Sequence, residues 1–189
     1  MTETPLHHQP TPAPRRQVGG DYYFDDFEVG QTFTTRGATL TEAQILDFAW
    51  TYDPQPFHLD KVAAADWGYD GLIASGFQTL IIGFRLFYQE KIINACSLGS
   101  PGLDELRWLQ PVRPDDTLHV VAEVLELRAS RSKPDRGIAV LAYETRRQNG
   151  DVVLPYRCTH IFKLRSAPPA GDGAGGQRPV PGPDRRQEA

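Results

Sequence analysis

Apolar and polar positions change period along the chain, and the change divides it. From Thr41 onward, Ile45, Phe48 and Ala49 recur at helical spacing. Thr39 or Thr41 stands ahead of them as a cap, so a helix is expected to run to about Tyr52. A second, shorter helix is expected from His58 to Trp67, closed by Gly68. The longest helical pattern spans about Gly76 to Asn94, where Phe77, Leu80, Ile81, Ile82, Phe84, Leu86, Phe87 and Tyr88 leave almost no polar face. A helix apolar all round has to be surrounded. Too few other helices remain to do this, so a curved sheet is expected to cover it.

Beyond Asn94 the period drops to two. Leu106–Leu109 leads into a proline-rich turn, Thr117–Leu127 is a long β-like run, and Ile138–Arg147 follows a polar connection. Asn149-Gly150 is a pair suited to a type I′ hairpin turn. The returning strand, Val152–Leu164, alternates Cys158, His160, Phe162 and Leu164 against Thr159, Ile161 and Lys163. Pro155 within it marks a bulge or an edge position. Ahead of the first helix, Tyr22, Tyr23, Phe24, Phe27 and Phe33 form an aromatic entry segment expected to serve the core, as is Trp108. Helices first, then an antiparallel sheet, define an α+β class.

Composition sharpens this picture. The chain has 189 residues and a net charge of -4, which suits one soluble domain and gives no electrostatic reason to expect nucleic acid. Residues 1–19 and 166–189, rich in Pro and Gly, read as disordered tails around a domain at 20–165. No apolar run reaches the roughly 18 residues of a membrane span, and the N-terminus is not a signal peptide. Cys96 and Cys158 are the only cysteines, so a reduced, cytoplasmic protein is expected. No metal-ligand spacing occurs.

The candidate chemistry sits in Tyr52-Asp53-Pro54-Gln55-Pro56-Phe57-His58. Two prolines forbid a helix there, so Asp53 and His58 are expected on a rigid, bent connection that can hold both over one point. An Asp before Pro is also a turn former, and a His at a helix start is also a cap. Gly71-Leu72-Ile73-Ala74-Ser75-Gly76 precedes the long helix. Gly76 suits either a backbone N–H offered to a ligand or simple close packing. Ser75 suits either hydrogen bonding near a carbonyl or capping. Arg128, Arg131, Lys133 and Arg136 suit either phosphate contacts or a solvated connection. His119 and His160 lie in strand patterns and read as packing or edge residues.

These motifs resemble the MaoC-like, (R)-specific enoyl-CoA hydratase branch of the hotdog fold. The resemblance rests on Tyr52, Asp53, Pro54, Gln55, Pro56, Phe57, His58 and Ala64, on the Gly71–Gly76 loop, and on Leu106-Arg107-Trp108 with Pro111-Val112 and Asp116-Thr117. It covers about residues 22–165. Two positions depart from the branch: Gln55 stands where Asn is usual, and Ser75 where His is frequent. The resemblance implies a single hotdog domain, its antiparallel sheet wrapped around the long helix. It implies reversible hydration of a trans-2-enoyl-CoA to an (R)-3-hydroxyacyl-CoA in fatty acid metabolism, with no cofactor beyond the coenzyme A of the substrate. Asp53 and His58 would be the acid–base pair, with the Gly76 N–H and Ser75 at the thioester carbonyl. Gln55, Phe57, Arg131, Lys133 and Arg136 would contact substrate. At least a homodimer is expected, with no nucleic-acid or membrane partner. Two alternatives stay open on the same fold: an acyl-CoA thioesterase, or a subunit that binds acyl groups without turning them over.

Overall fold

A computed structural model describes residues 20–165; the tails expected at 1–19 and 166–189 lie outside the described residues. After a 3-10 turn at Phe24–Asp26 come β1 (Thr32–Thr34), β2 (Ala38–Thr39), α1 (Glu42–Tyr52), α2 (Pro56–Leu59), α3 (Lys61–Asp66) and α4 (Gly76–Gln89). Four strands end the order: β3 (Gly102–Asp104), β4 (Thr117–Ala129), β5 (Arg136–Arg147) and β6 (Val152–Lys163). One antiparallel sheet has the order β1-β4-β5-β6-β3, with β2 also on β4. Among the described residues no helix is long and apolar enough to cross a membrane. Cys96 and Cys158 are free and buried.

The capping signal at α1 is realised. The Gln44 N–H donates to Thr41 Oγ1 at 3.3 Å and the Thr41 N–H to Gln44 Oε1 at 2.9 Å, which holds two otherwise orphaned donors. Three helical expectations are corrected. The second helix is two short ones, because Asp60 leaves helical geometry and accepts the Val62 N–H at 2.7 Å to start α3. The double-proline segment is partly helical, since Pro56 occupies the first position of α2, where a missing N–H does no harm. The long helix stops at Gln89, and Lys91 then takes a left-handed conformation.

The sheet covers α4 on one side only. Leu86 and Phe87 face a core of Phe33, Val120, Leu141, Tyr143 and Phe162, with Phe87 edge-on to Tyr143 at 5.0 Å. Phe77, Ile81, Phe84 and Tyr88 stand on the other side, 43–58% exposed. The helix apolar all round is therefore not surrounded within one chain: the sheet takes one stripe and leaves a second bare.

The β6 alternation is as expected, with Cys158, His160 and Phe162 inward. The strand expected at Leu106–Leu109 is displaced to Gly102–Asp104. Residues 106–109 instead touch β6 by the bonds Arg107 N–H to Pro155 O (3.2 Å) and Leu109 N–H to Val153 O (2.9 Å). Pro155 has no N–H to complete a ladder there. The β5–β6 hairpin is where Asn149-Gly150 put it, but the turn is not type I′. Only Gly150 is left-handed, and the closing bond runs from the Gly150 N–H to Arg147 O at 2.9 Å. Gln148 is drawn into the turn because its side chain accepts the Thr117 N–H at 2.9 Å and donates to Asp116 at 3.2 Å.

Gly83 brings α4 onto the sheet. A Cβ there would lie 2.6 Å from Thr145 Oγ1, a fully buried hydroxyl with no hydrogen-bond partner among the described residues. Gly83→Ala is expected to destabilise by about 1–3 kcal/mol through overpacking, read as a lower urea midpoint. Adding Thr145→Ala removes the obstructing atom and loses no hydrogen bond. The double variant should then recover the midpoint, helped by roughly 0.5–1 kcal/mol of helix propensity. A double variant no better than the single would contradict this packing.

Candidate active site

Asp53 ends α1, its N–H bonded to Ala49 O at 3.0 Å, and its side chain turns back over the bend. His58 lies in α2 and is 4% exposed. Its Nδ1 is 2.8 Å from Ile73 O. A carbonyl oxygen only accepts, so Nδ1 carries the hydrogen and Nε2 is the nitrogen turned to Asp53, 3.4 Å from Oδ2.

The Gly71–Gly76 loop supplies the other half. It is pinned by Ile73 N–H to Phe57 O (3.3 Å) and Ala74 N–H to Val112 O (2.7 Å). Buried Ser75 donates from Oγ to Asp53 Oδ2 at 2.6 Å, and the same oxygen accepts the Phe77 N–H at 3.2 Å to cap α4. Gln55 Nε2 donates to the other carboxylate oxygen at 2.8 Å. The Gly76 N–H, at the first position of α4, has no partner among the described residues. A Cβ on Gly76 would fall 2.3–2.7 Å from the Trp108 indole, so glycine here permits the ring to lie on the backbone. Asp53, His58, Gly76, Phe57, Tyr69 and Trp108 line a cavity of about 350 Å³.

Burial acts most strongly on the Asp53 carboxyl and pushes its pKa up. The Ser75 and Gln55 hydrogen bonds and the neighbouring His58 outweigh that and hold it below the usual carboxylate value. The ionised site therefore adds stability above that ordinary range, which fades as pH falls through the lowered value. Ser75→Ala deletes a bond made to the ionised form, so the Asp53 pKa should rise. Carboxyl ¹³C NMR titration of the two proteins measures this, and an unmoved Asp53 resonance would contradict the Ser75 contact.

The structure thus brings together Asp53, His58, Ser75, Gln55, Phe57 and Gly76. Gln55 and Ser75 are turned to Asp53, and Phe57 packs against the His58 ring at 4.6 Å. Arg131, Lys133 and Arg136 are not brought to this cavity: the first two belong to the β4–β5 connection, and Arg136 opens β5, where it pairs with Asp135 at 2.7 Å. Arg128 pairs with Glu126 at 3.5 Å. Trp108 is corrected from core residue to half-exposed wall of the site. The Ile73 carbonyl and the Ser75–Asp53 bond were missed. A backbone acceptor leaves no trace in residue type, and a contact 22 positions apart leaves none in spacing.

An antiparallel sheet packed against one face of a long helix, with a carboxylate and an imidazole meeting near that helix's N-terminus, is the arrangement of a hotdog domain. The chain belongs to the MaoC-like domain family, whose pattern matches residues 26–144. It is 34% identical over 109 residues to YdeM of Bacillus subtilis, an uncharacterized protein, covering 58% of this chain and 77% of that one. The MaoC-like dehydratase of Rhodospirillum rubrum superposes with a TM-score of 0.69 at 34% identity, over 77% of this chain and 99% of that one. An (R)-hydratase from A. caviae, involved in PHA biosynthesis, superposes with a TM-score of 0.58 at 26% identity, over 74% and 98% of the two chains.

Proposed function

We propose that the protein is a hydratase/dehydratase that adds water across the double bond of a trans-2-enoyl-CoA to give a 3-hydroxyacyl-CoA, reversibly. The observation that carries this reading is the Asp53 Oδ2–His58 Nε2 approach of 3.4 Å, beside the unbonded Gly76 N–H. When Nε2 carries no hydrogen, both facing atoms are acceptors, and a water resting against both can donate one hydrogen to each. Such a water is held and oriented by the pair. As its oxygen bonds to the β-carbon, one of its protons passes to the pair, and the pair delivers a proton to the α-carbon. The sum is H and OH added and nothing oxidised or reduced, so no cofactor is required beyond the coenzyme A of the substrate. Negative charge gathering on the thioester oxygen is met by the Gly76 N–H, reinforced by the α4 dipole. Ser75 and Gln55 keep the carboxylate ionised and aimed.

The bare stripe of Phe77, Ile81, Phe84 and Tyr88 supports a homodimer in which a second copy covers α4. Sedimentation should give twice the chain mass.

The direct test is loss of the conjugated enoyl-thioester absorbance on mixing the protein with short, branched and medium-chain trans-2-enoyl-CoAs. Steady loss matched by 3-hydroxyacyl-CoA formation supports the reading. Release of free thiol would replace it with thioester hydrolysis, and binding without turnover would replace it with a non-catalytic role.

A further inference from the structure

A second cavity, of about 520 Å³, lies between α4 and the β5–β6–β3 side of the sheet, and the acid–base site does not use it. Its walls are apolar: Leu80, Ile81 and Phe84 from α4, Ile93 beyond it, and Leu103 from β3. Its floor is not. Tyr143 Oη lies 2.9 Å from His160 Nε2, and among the described residues His160 Nδ1 has only the Cys158 thiol, 4.0 Å away. Cys158 Sγ also meets Ser100 Oγ at 3.3 Å. Tyr143, Cys158 and His160 are all more than nine-tenths buried.

We propose that this cavity holds the far end of the acyl chain and is built for a chain ending in a neutral hydroxyl, read by the Tyr143–His160 pair. The proposal rests on the hydratase reading for the thioester end. Position follows from the helix: at about 1.5 Å per residue, Leu80 and Phe84 lie roughly 6 and 12 Å along α4 from Gly76. A medium-length chain anchored at the Gly76 N–H reaches the cavity along the Phe77–Ile81–Phe84 stripe, running between α4 and the second copy that covers it.

Chemistry follows from the floor. A phenol can donate once and accept twice, and its bond to one imidazole nitrogen leaves capacity over. The second imidazole nitrogen faces only a weak thiol partner. A hydroxyl, which both donates and accepts, uses either vacancy whichever tautomer His160 adopts. A carboxylate is disfavoured, because no Lys or Arg lines the cavity and burial pushes the His160 pKa down to about 4, leaving it uncharged. An ammonium is disfavoured because no Asp or Glu lines it. A methyl end would leave the floor's spare donors and acceptors dry and unpaired.

The test compares two substrates of equal length, trans-2-decenoyl-CoA and 10-hydroxy-trans-2-decenoyl-CoA, with the full chain. Wild type should show kcat/KM about tenfold higher for the hydroxyl-ended substrate, the worth of one buried hydrogen bond. In Tyr143→Phe that ratio should fall to about one. The wild-type ratio is decisive without any variant: hydration of both substrates at a ratio of one or less overturns the cavity assignment and leaves the hydratase reading standing. If neither these nor crotonyl-CoA is hydrated, the hydratase reading fails. Calorimetry with decanoyl-CoA and 10-hydroxydecanoyl-CoA then decides the cavity: tenfold tighter binding of the latter sustains it, and equal or absent binding overturns it.

Discussion

Asp53→Asn and His58→Gln are each expected to lower kcat/KM for a trans-2-enoyl-CoA by about 10²–10⁴-fold, the range of a positioned acid–base group. Both substitutions keep the local scaffold. An asparagine oxygen still accepts from Ser75 Oγ, and a glutamine amide can still donate to the Ile73 carbonyl. The fold should survive, with near-wild-type far-UV circular dichroism. Because the two groups share one water, they act as a unit and their effects should not multiply. The double variant should be nearly as active as the weaker single variant. Fully multiplicative losses would mean that Asp53 and His58 work on separate steps. Retained activity in both single variants would move the chemistry away from this bend.

The second large effect is expected at Gly76. Proline there removes the N–H while suiting the first turn of a helix. The preceding residue must be extended, and Ser75 already is, at φ -56° and ψ 140°. A proline ring also introduces a Cβ against the Trp108 indole, so Gly76→Ala is the necessary comparison: it brings the same obstruction and keeps the donor. Trp108 is half-exposed and can swing aside, so Gly76→Ala should lose far less than Gly76→Pro. The difference between them reports the loss of the N–H together with the ring Cδ that takes its place, and should be at least about 10²–10³ in kcat. Equal losses would assign Gly76 to packing against Trp108 alone.

How much of this was legible depends on how local each cause is. Thr41 and Gln44 announce the start of α1 because a capping box is read within four residues. Asp53 and His58 stand out because they flank a proline bend five residues apart, although Ser75 and Ile73 fix their final aim. Pro56 was misjudged for a local reason as well: the same missing N–H that breaks a helix interior is harmless at a helix start. The failures at α4 and Trp108 differ in kind. Apolar periodicity shows that a face avoids water but not what covers it, so Phe77, Ile81, Phe84 and Tyr88 resembled buried residues and are bare in one chain. Trp108 is set against Gly76 by the path of residues 106–112 along β6, a relation between segments that neither segment encodes alone. The type I′ expectation at Asn149-Gly150 failed through a similar long-range pull, since Gln148 is tied to Asp116 and Thr117 at the start of β4.

The order of elements also bears on how the protein is made. Thr32 of β1 pairs with Glu123 of β4, so the first strand has no partner until most of the domain exists. On the ribosome, α4 emerges with both of its apolar stripes uncovered, and β4 begins only at Thr117. Contacts this distant in sequence fold slowly, on the scale of milliseconds to seconds. During that interval the chain presents an apolar helix to every other chain nearby. Yield from fast overexpression should therefore be limited by the rate at which β4–β6 arrive and close over α4, and slowing synthesis or lowering the temperature should raise the soluble fraction.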